Sequence, residues 1–292
     1  MPEPGFPDAL DTRCGPCDGN GAATLNARLT LERLEPELVG TRFAGLGHVR
    51  DRVESTNDTL REMAREGAPA GTFVVAAEQS RGRGRHRRAW ISQAGLGLSL
   101  SVLFRPPPGP PTHWTLGAAV AACDACRSLG AATTSIKWPN DLLIGPDKVA
   151  GILVETRSAG AAVGELILGL GVNVHHTAEE IAATGLPSVT SLRCAVASGI
   201  VGGRTRLAGE FLRRLDAIAS AIEAGDWASV ASAWLDRAPR ASGTPVTITA
   251  PDGTRWNGIS AGLADDGALR VRDSSDRVHE VRQVDSVRFT EG

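Results

Sequence analysis

The sequence predicts an α+β domain, in which a mixed β-sheet packs against helices, followed by a small β-barrel. Two observations predict this order. Helical and strand patterns alternate up to about residue 240, whereas the last fifty or so residues contain only short strands separated by turns rich in Asp and Gly. We therefore divide the chain into a flexible N-terminal segment (1–45), an α+β domain (46–240) and a β-barrel domain (241–292).

The first half of the α+β domain is predicted from its apolar spacing. A mixture of Leu and charged residues over 28–38 favours one short helix. Leu60, Met63 and Ala64 mark one face of a helix over 58–66, and the preceding Ser-Thr-Asn can cap it. Residues 72–77 and 96–104 have strand patterns, with an arginine-rich loop between them. After the proline-rich stretch 106–111, a helix is expected over 113–129.

The second half of the chain continues with strands and two longer helices. A strand over 135–138 is followed by hairpin strands at 142–144 and 149–155 and by a strand at 166–174. Leu207, Phe211 and Leu215 recur at helical spacing, so helices are expected at 204–224 and 227–237. Five short strands complete the chain, at 245–249, 254–261, 268–271, 278–281 and 286–289.

The composition is that of a globular protein. Of 292 residues, 42% are apolar and 22% charged, which argues against a disordered or fibrous chain. The longest apolar runs stop well short of the ~18–20 residues that a membrane helix needs, and residues 1–11 lack the pattern of a signal peptide. The net charge of −2 gives no general reason to expect nucleic acid or a membrane as partner. We expect a cytoplasmic protein.

One loop departs from this balanced charge. Residues 79–90 (QSRGRGRHRRAW) carry five arginines and no acid. Glycines let the backbone bend around a ligand, and guanidinium groups suit carboxylates and phosphates. Spacing alone supports an anion-binding loop about as well as the alternatives, which are a solvated basic loop and an RGG-like RNA-binding segment. RNA binding also predicts repeated RGG units with aromatic residues or a second basic face, and the sequence contains neither.

Two further segments carry polar residues at strand ends. The motif 137–141 (KWPND) places Asn140 and Asp141 on a turn after Pro139, and Lys148 opens the strand 148–155 (KVAGILVE). Gly151 inside that strand indicates close approach by a ligand or another backbone. The strand 169–174 (GLGVNV) leaves open space at its glycines, but no G-x-G-x-x-G precedes a helix, so it is not a dinucleotide fingerprint. Turn residues and a surface lysine are the alternative interpretation of 137–141 and of 148–155 taken singly, and it loses weight when both are considered together with the arginine loop. The 169–174 strand is a weak signal by itself.

Five cysteines include two C-x-x-C pairs, at 14–17 and 123–126. A thioredoxin-type pair lies at a helix start after a strand, whereas the first pair lies in a Gly- and Pro-rich tail. The second pair falls within the predicted helix 113–129, so a four-cysteine zinc site would need the tail folded back across more than a hundred residues. We expect inert thiols and no metal-binding residues.

Taken in order, these segments resemble the biotin protein ligases, also called biotin–[carboxyl-carrier] ligases or holocarboxylase synthetases. The resemblance runs from about residue 54 to 289 and covers Ser55-Thr56-Asn57, the 82–90 loop, 137–141, 148–155, 169–173 and the barrel. The family loop usually reads G-R-G-R-x-G-R-x-W after an Ala. This chain has Arg81 and Arg87 in place of that Ala and the third Gly, and we expect the extra side chains to stiffen the loop or slow its closure.

The resemblance implies a class II synthetase-like catalytic domain, an SH3-like barrel and a two-step reaction. The carboxylate of biotin attacks the α-phosphate of ATP, with Mg²⁺ present, and a lysine of a biotin carboxyl carrier domain then takes the acyl group. A lipoate or octanoate ligase of related fold is the alternative, although the arginine loop and barrel are not expected there. A ligase that is also a DNA-binding repressor is disfavoured, since residues before 50 leave no room for a three-helix module. Oligomeric state is open, a homodimer included.

The resemblance also implies roles for individual residues. Arg85 and Lys148 would engage the biotin carboxylate and the α-phosphate, because two anions approach only if cations intervene. Asp141 would serve the acceptor lysine or the metal, Asn173 the nucleotide and metal, and Trp90 closure over the adenylate. Four residues would bind the neutral ureido ring: Ser55, Thr56, Asn57 and Gln79. The remaining candidates line the same wall or the loop: Gly82, Arg83, Gly84 and Gly151, with Arg83 also implied in catalysis.

Overall fold

A seven-stranded sheet forms the centre of the computed structural model, which describes residues 28–159, 162–196, 199–200, 202–282, 284 and 286–290. In chain order its strands are β1 (Gly47–Val53), β2 (Phe73–Gln79), β3 (Gly97–Phe104), β4 (Thr134–Lys137), β5 (Asp141–Ile144), β6 (Asp147–Ala159) and β7 (Ala162–Asn173). Their spatial order is β1-β2-β3-β7-β6-β5-β4. Only the β1–β2 pair is parallel, so the predicted mixed sheet is confirmed.

Helices cover both faces of this sheet. They are α1 (Leu31–Leu34), α2 (Thr56–Arg65), α3 (Pro111–Ser128), α4 (Ala178–Ala183), α5 (Leu192–Ala195), α6 (Gly203–Glu223) and α7 (Trp227–Arg237), with short 3₁₀ turns at Glu35–Leu38, Arg85–Arg87 and Pro239–Ala241. None of the helices in the described residues is long and apolar enough to cross a membrane.

Alternation along the strands assigns side chains to two cores. Phe73 and Val75 of β2 point into the main core with α3 and α6, whereas Val74 packs with Leu60 of α2 on the opposite face. Close packing of the long helices uses small residues. A Cβ at Gly117 of α3 would lie 2.5 Å from Ile218 Cγ2 of α6, so glycine permits this approach.

The last part of the described chain forms a second, antiparallel sheet. Its strands are β8 (Ser242–Thr249), β9 (Arg255–Leu263), β10 (Leu269–Arg272), β11 (Val278–Val281) and β12 (Ser286–Phe289), in the order β11-β10-β9-β8-β12. All five predicted strands are present. The Trp138 indole N–H donates to the Gly267 carbonyl over 3.1 Å, and the His113 ring stacks on Trp227 while its Nε2 lies 2.8 Å from the Asp265 carbonyl. These contacts join the sheet to the α+β part.

The sequence missed a few local features. Strand β1 was not predicted, because its exposed Arg50, Asp51 and Arg52 interrupt the expected alternation, and the short helices α4 and α5 were not predicted either. Ser55 is the N-cap residue of α2, but its side chain makes no capping hydrogen bond, so the predicted cap is wrong in that detail. Leu34 and Leu38 lie within the segment 1–45 and are fully buried in the main core. The three-part division of the chain stays a prediction.

Candidate active site

A cavity of about 330 Å³ gathers twelve of the thirteen candidate residues. Its walls come from the start of α2, the 83–91 loop, the β4–β5 turn, β6 and β7, the segment around α4, and Val284 with the first two residues of β12. Gly82 alone among the candidates does not line it. A Cβ at Gly82 would lie 2.4 Å from the Trp90 carbonyl oxygen, and the Trp90 N–H donates to the Gly82 carbonyl over 2.9 Å, so Gly82 permits the loop to fold back on itself.

One end of the cavity is neutral and polar. The Gln79 Oε1 accepts from the Thr56 backbone N–H at 2.8 Å, and its Nε2 donates to Ser99 Oγ at 3.1 Å. Ser101 Oγ lies 2.7 Å from Thr56 Oγ1 and 2.6 Å from Asn57 Oδ1. These groups fix donors and acceptors without net charge. The sequence did not single out the two serines of β3, whose only signal is the alternation of small polar with apolar residues.

Glycines on β7 make the floor of the cavity. A Cβ at Gly169 would lie 2.5 Å from Asn57 Oδ1, and one at Gly171 would lie 2.5 Å from Trp90 Cε2. The indole of Trp90 therefore lies directly on the strand. At Gly151 of β6 a Cβ would lie 3.2 Å from Lys148 Nζ and 3.6 Å from the Trp90 ring. At Gly151 side chains, and not another backbone, make the close approach, and approach by a ligand stays a prediction.

The other end of the cavity is cationic. Lys148 Nζ lies 2.5 Å from Asp141 Oδ1, across the β5–β6 hairpin. The Arg85 guanidinium makes one long contact, 3.5 Å to the neutral Asn140 Oδ1, and burial lowers the pKa of Arg85 more strongly than nearby Asp141 raises it. Burial likewise lowers the pKa of Lys137, against the opposing charge of Asp141. A half-buried guanidinium without a carboxylate partner at hydrogen-bond distance is a suitable anion-binding group.

Arg83 lies at the same wall but is paired differently. Its guanidinium donates to both oxygens of Asp58, over 2.7 Å to Oδ1, and lies 3.4 Å from Glu155. The hydrogen bond from Arg83 holds the pKa of the Asp58 carboxyl below its usual value. Neither carboxylate was singled out from the sequence, because α2 and β6 are almost a hundred residues apart.

Asn173 ends β7 at the far side of the cavity. Its Nδ2 donates to the Thr190 carbonyl over 3.0 Å, which holds the amide in place and leaves Oδ1 as the acceptor for a ligand. Among the residues that the structure describes, no three His, Cys, Asp or Glu side chains are grouped as metal ligands.

The remaining features that the sequence singled out lie elsewhere. Arg81 is exposed and pairs with Glu54 over 3.3 Å, outside the cavity. The side chain of Arg87 and the cysteine pair at 14–17 lie outside what the structure describes. Cys123 and Cys126 are buried in α3, and burial raises the pKa of the Cys123 thiol to about 11. Such a thiol stays protonated at neutral pH, as expected for an inert one.

A polar, glycine-floored cavity that ends in cations suits a ligand with a neutral polar end and an anionic end. The model of the biotin/lipoate A/B protein ligase family matches residues 49–173. The biotin–[acetyl-CoA-carboxylase] ligase of Paracoccus denitrificans is 34% identical over 239 residues, which cover 77% of this chain and 94% of that protein. The chain therefore belongs to the biotin protein ligase family.

Other relatives match different shares of their own length, and a solved structure shares the fold. The bifunctional ligase/repressor BirA of Escherichia coli is 30% identical over 80% of this chain and 71% of its own length. The BirA of Bacillus spizizenii is 41% identical, but the chain spans only 41% of its length. The structure of the biotin protein ligase from Aquifex aeolicus in complex with biotin and ATP has a TM-score of 0.72 and 24% identity, covering 84% of this chain and all of that one.

Proposed function

We propose that this protein activates biotin with ATP and transfers it to a lysine of a biotin carboxyl carrier domain. The observation that carries the proposal is the polarity of the cavity described above. Biotin has a neutral ureido ring at one end and a carboxylate at the other. Thr56, Asn57 and Gln79 are neutral groups suited to the ring, and Arg85 and Lys148 are cations suited to the carboxylate. The named activity of the Paracoccus relative supports the same substrate.

In the proposed first step, a biotin carboxylate oxygen attacks the α-phosphorus of ATP, and the bond to the leaving pyrophosphate breaks. Both reactants are anions and repel one another. The Coulomb attraction between an anion and a cation about 4 Å away is about 4 kcal/mol at an effective dielectric constant of 20. Arg85 already lacks a carboxylate partner among the described residues and can bind either anion without losing an existing ion pair. Lys148 would exchange Asp141 for the substrate oxygens. Arg83 and Gly84 line the same wall.

In the second step, the amine of the acceptor lysine attacks the acyl carbon and AMP leaves. An ammonium group must lose a proton before it attacks, and Asp141 is our candidate for the carboxylate that receives it. The Trp90 indole lies against Gly171 of β7, between the neutral and the cationic end of the cavity. Closure of the loop would therefore exclude water from the mixed anhydride, which hydrolyses readily.

Mg²⁺ fits this donor set as a nucleotide-bound ion. Mg²⁺ usually keeps phosphate and water oxygens and takes only one or two oxygens from the protein. The Asp141 carboxylate and the Asn173 Oδ1 could provide them at the nucleotide side of the cavity. When bound, the ion would shield the charge of the pyrophosphate.

Four further expectations complete the proposal. The five-stranded C-terminal sheet is proposed to close into the SH3-like barrel, and the seven-stranded sheet to have the class II synthetase-like arrangement. A cytoplasmic location and a homodimer remain predictions.

Exchange of labelled pyrophosphate into ATP tests the first step without any carrier. We expect exchange with biotin, ATP and Mg²⁺, and none when lipoate or octanoate replaces biotin. Exchange with lipoate but not with biotin would contradict the proposal and favour the related lipoate ligases.

A further inference from the structure

Behind the arginine loop lies an ion network that the proposed chemistry does not use. We call it the loop clamp and define it as Asp58, Arg61, Arg83 and Glu155. Arg83 donates to both oxygens of Asp58, and Arg61 donates to Asp58 and, over 2.8 Å, to Glu155. All four side chains are about one-third exposed. The clamp thus joins the loop to α2 and β6.

The clamp neutralises Arg83. Two guanidinium groups face two carboxylates, so the network carries no net charge, and the two Nη atoms of Arg83 both point to Asp58. An anion in the cavity would have to compete with that bidentate pair. Arg85, two residues further on, lies 3.5 Å from the neutral Asn140 Oδ1 and has no carboxylate at hydrogen-bond distance among the described residues. The two arginines therefore have different tasks: one holds the loop and the other faces the ligand.

The clamp also reaches the neutral end of the cavity. Asn57 Nδ2 donates to Glu155 Oε2 over 2.7 Å, the same carboxylate oxygen that Arg61 binds. Asn57 in turn lies against Gly169 and Ser101. A ligand that contacts Asn57 therefore touches a residue that is hydrogen-bonded to the clamp.

We propose that Asp58 is a positioning residue that holds the arginine loop closed through Arg83, so that Arg85 and Trp90 are seated over the cavity. Glu155 extends this restraint to Asn57, so occupancy of the neutral end and closure of the loop favour one another. The kinetic part of this inference rests on the proposed function, whereas the restraint on the loop does not.

Limited trypsin digestion of the full chain measures the restraint directly, since trypsin cleaves after the loop arginines. We expect Asp58→Asn to be cut within residues 81–90 about fivefold faster than wild type, both without ligand and with biotin and ATP. Asp58→Glu should restore most of the protection. Asp216→Asn is the matched control, because it removes a similar carboxylate, paired with Arg42 over 2.5 Å, far from the loop. Its loop should be cut at the wild-type rate.

Enzyme kinetics distinguish a positioning role of Asp58 from a general loss of structure. For Asp58→Asn we expect KM for biotin to rise about fivefold and kcat for pyrophosphate exchange to change less than twofold, and Asp58→Glu should restore most of the wild-type KM. Wild-type cutting rates and an unchanged KM in a folded Asp58→Asn would overturn the inference. A wild-type protein that exchanges no pyrophosphate would instead overturn the proposed function, and the ligand-free digestion would still decide on the clamp.

Discussion

Arg85 and Lys148 are two of the cations that line the cavity, and their existing partners differ. Lys148 has a carboxylate partner at 2.5 Å, whereas Arg85 has a neutral amide at 3.5 Å. Binding of an anion therefore costs Lys148 an existing pair and costs Arg85 none. We expect Arg85 to contribute more to binding in the ground state and Lys148 to act as the charge that moves between Asp141 and the reacting groups.

Removal of the lysine charge tests this division of roles. Lys148→Ala should reduce biotin-dependent pyrophosphate exchange at least a hundredfold, since it removes a cation from between two anions. Its melting temperature should stay within a few degrees of wild type, because the side chain is one-third exposed. Arg157→Ala is the control on the same strand, as Arg157 is largely exposed and its ion pair is 3.8 Å long. Near-normal exchange by Lys148→Ala would contradict the assigned role.

The sequence could identify only those site residues that belong to a local motif. Lys148, Arg85 and Asn57 stand in short segments whose order resembles a family, and the structure brings them into one cavity. Ser101 and Glu155 were missed, since they lie 44 and 98 positions from Asn57 in the chain and meet it only when helix α2 packs on the sheet. A single sequence carries no signal for such contacts.

Strand β7 is the element on which the loop closes. Its glycines alternate with buried apolar residues, so that one face packs in the core and the other receives side chains from across the cavity. The strand itself was predicted within a few residues from its apolar run. What lies on its open face, the Trp90 indole, depends on a loop eighty residues earlier and could not be predicted from periodicity.

A methyl group on this face should displace the indole. In Gly171→Ala the new Cβ would meet Trp90 Cε2 at 2.5 Å, well inside van der Waals contact, so the ring must move. We expect KM for biotin to rise about tenfold, which corresponds to ~1.4 kcal/mol of lost binding free energy. In a Trp90→Ala background the same substitution should cost less than twofold. An equal cost in both backgrounds would show that the indole does not rest on this strand.

At the scale of the whole molecule, buried histidines tie stability to pH. His175 follows β7 directly, and burial, with Arg204 and Arg193 nearby, lowers its pKa to about 4. Its unfolded value is near 6.5, so the unfolded state binds the proton first and stability falls as pH decreases from 6.5 towards 4. Over this pH range the free energy of unfolding falls by about 3 kcal/mol through His175. Burial also lowers the pKa of His176, in the same direction.

Chemical denaturation at a series of pH values measures this linkage. Between pH 7 and 4 the free energy of unfolding of His175→Gln should fall less steeply than that of wild type, because the glutamine does not titrate. His86→Gln, which changes an exposed loop histidine, is the control and should follow the wild-type slope. Parallel slopes for wild type and His175→Gln would contradict the assigned pKa.

We propose that one cavity activates biotin and passes it to a protein lysine. Incubation of the purified chain with labelled biotin, ATP, Mg²⁺ and a purified biotin carboxyl carrier domain tests it most directly. We expect one label on the carrier lysine, dependent on ATP, and none when that lysine is replaced by arginine or when Lys148→Ala is used. No labelling of any carrier by a protein that binds biotin and ATP, or labelling with lipoate in place of biotin, would contradict the claim.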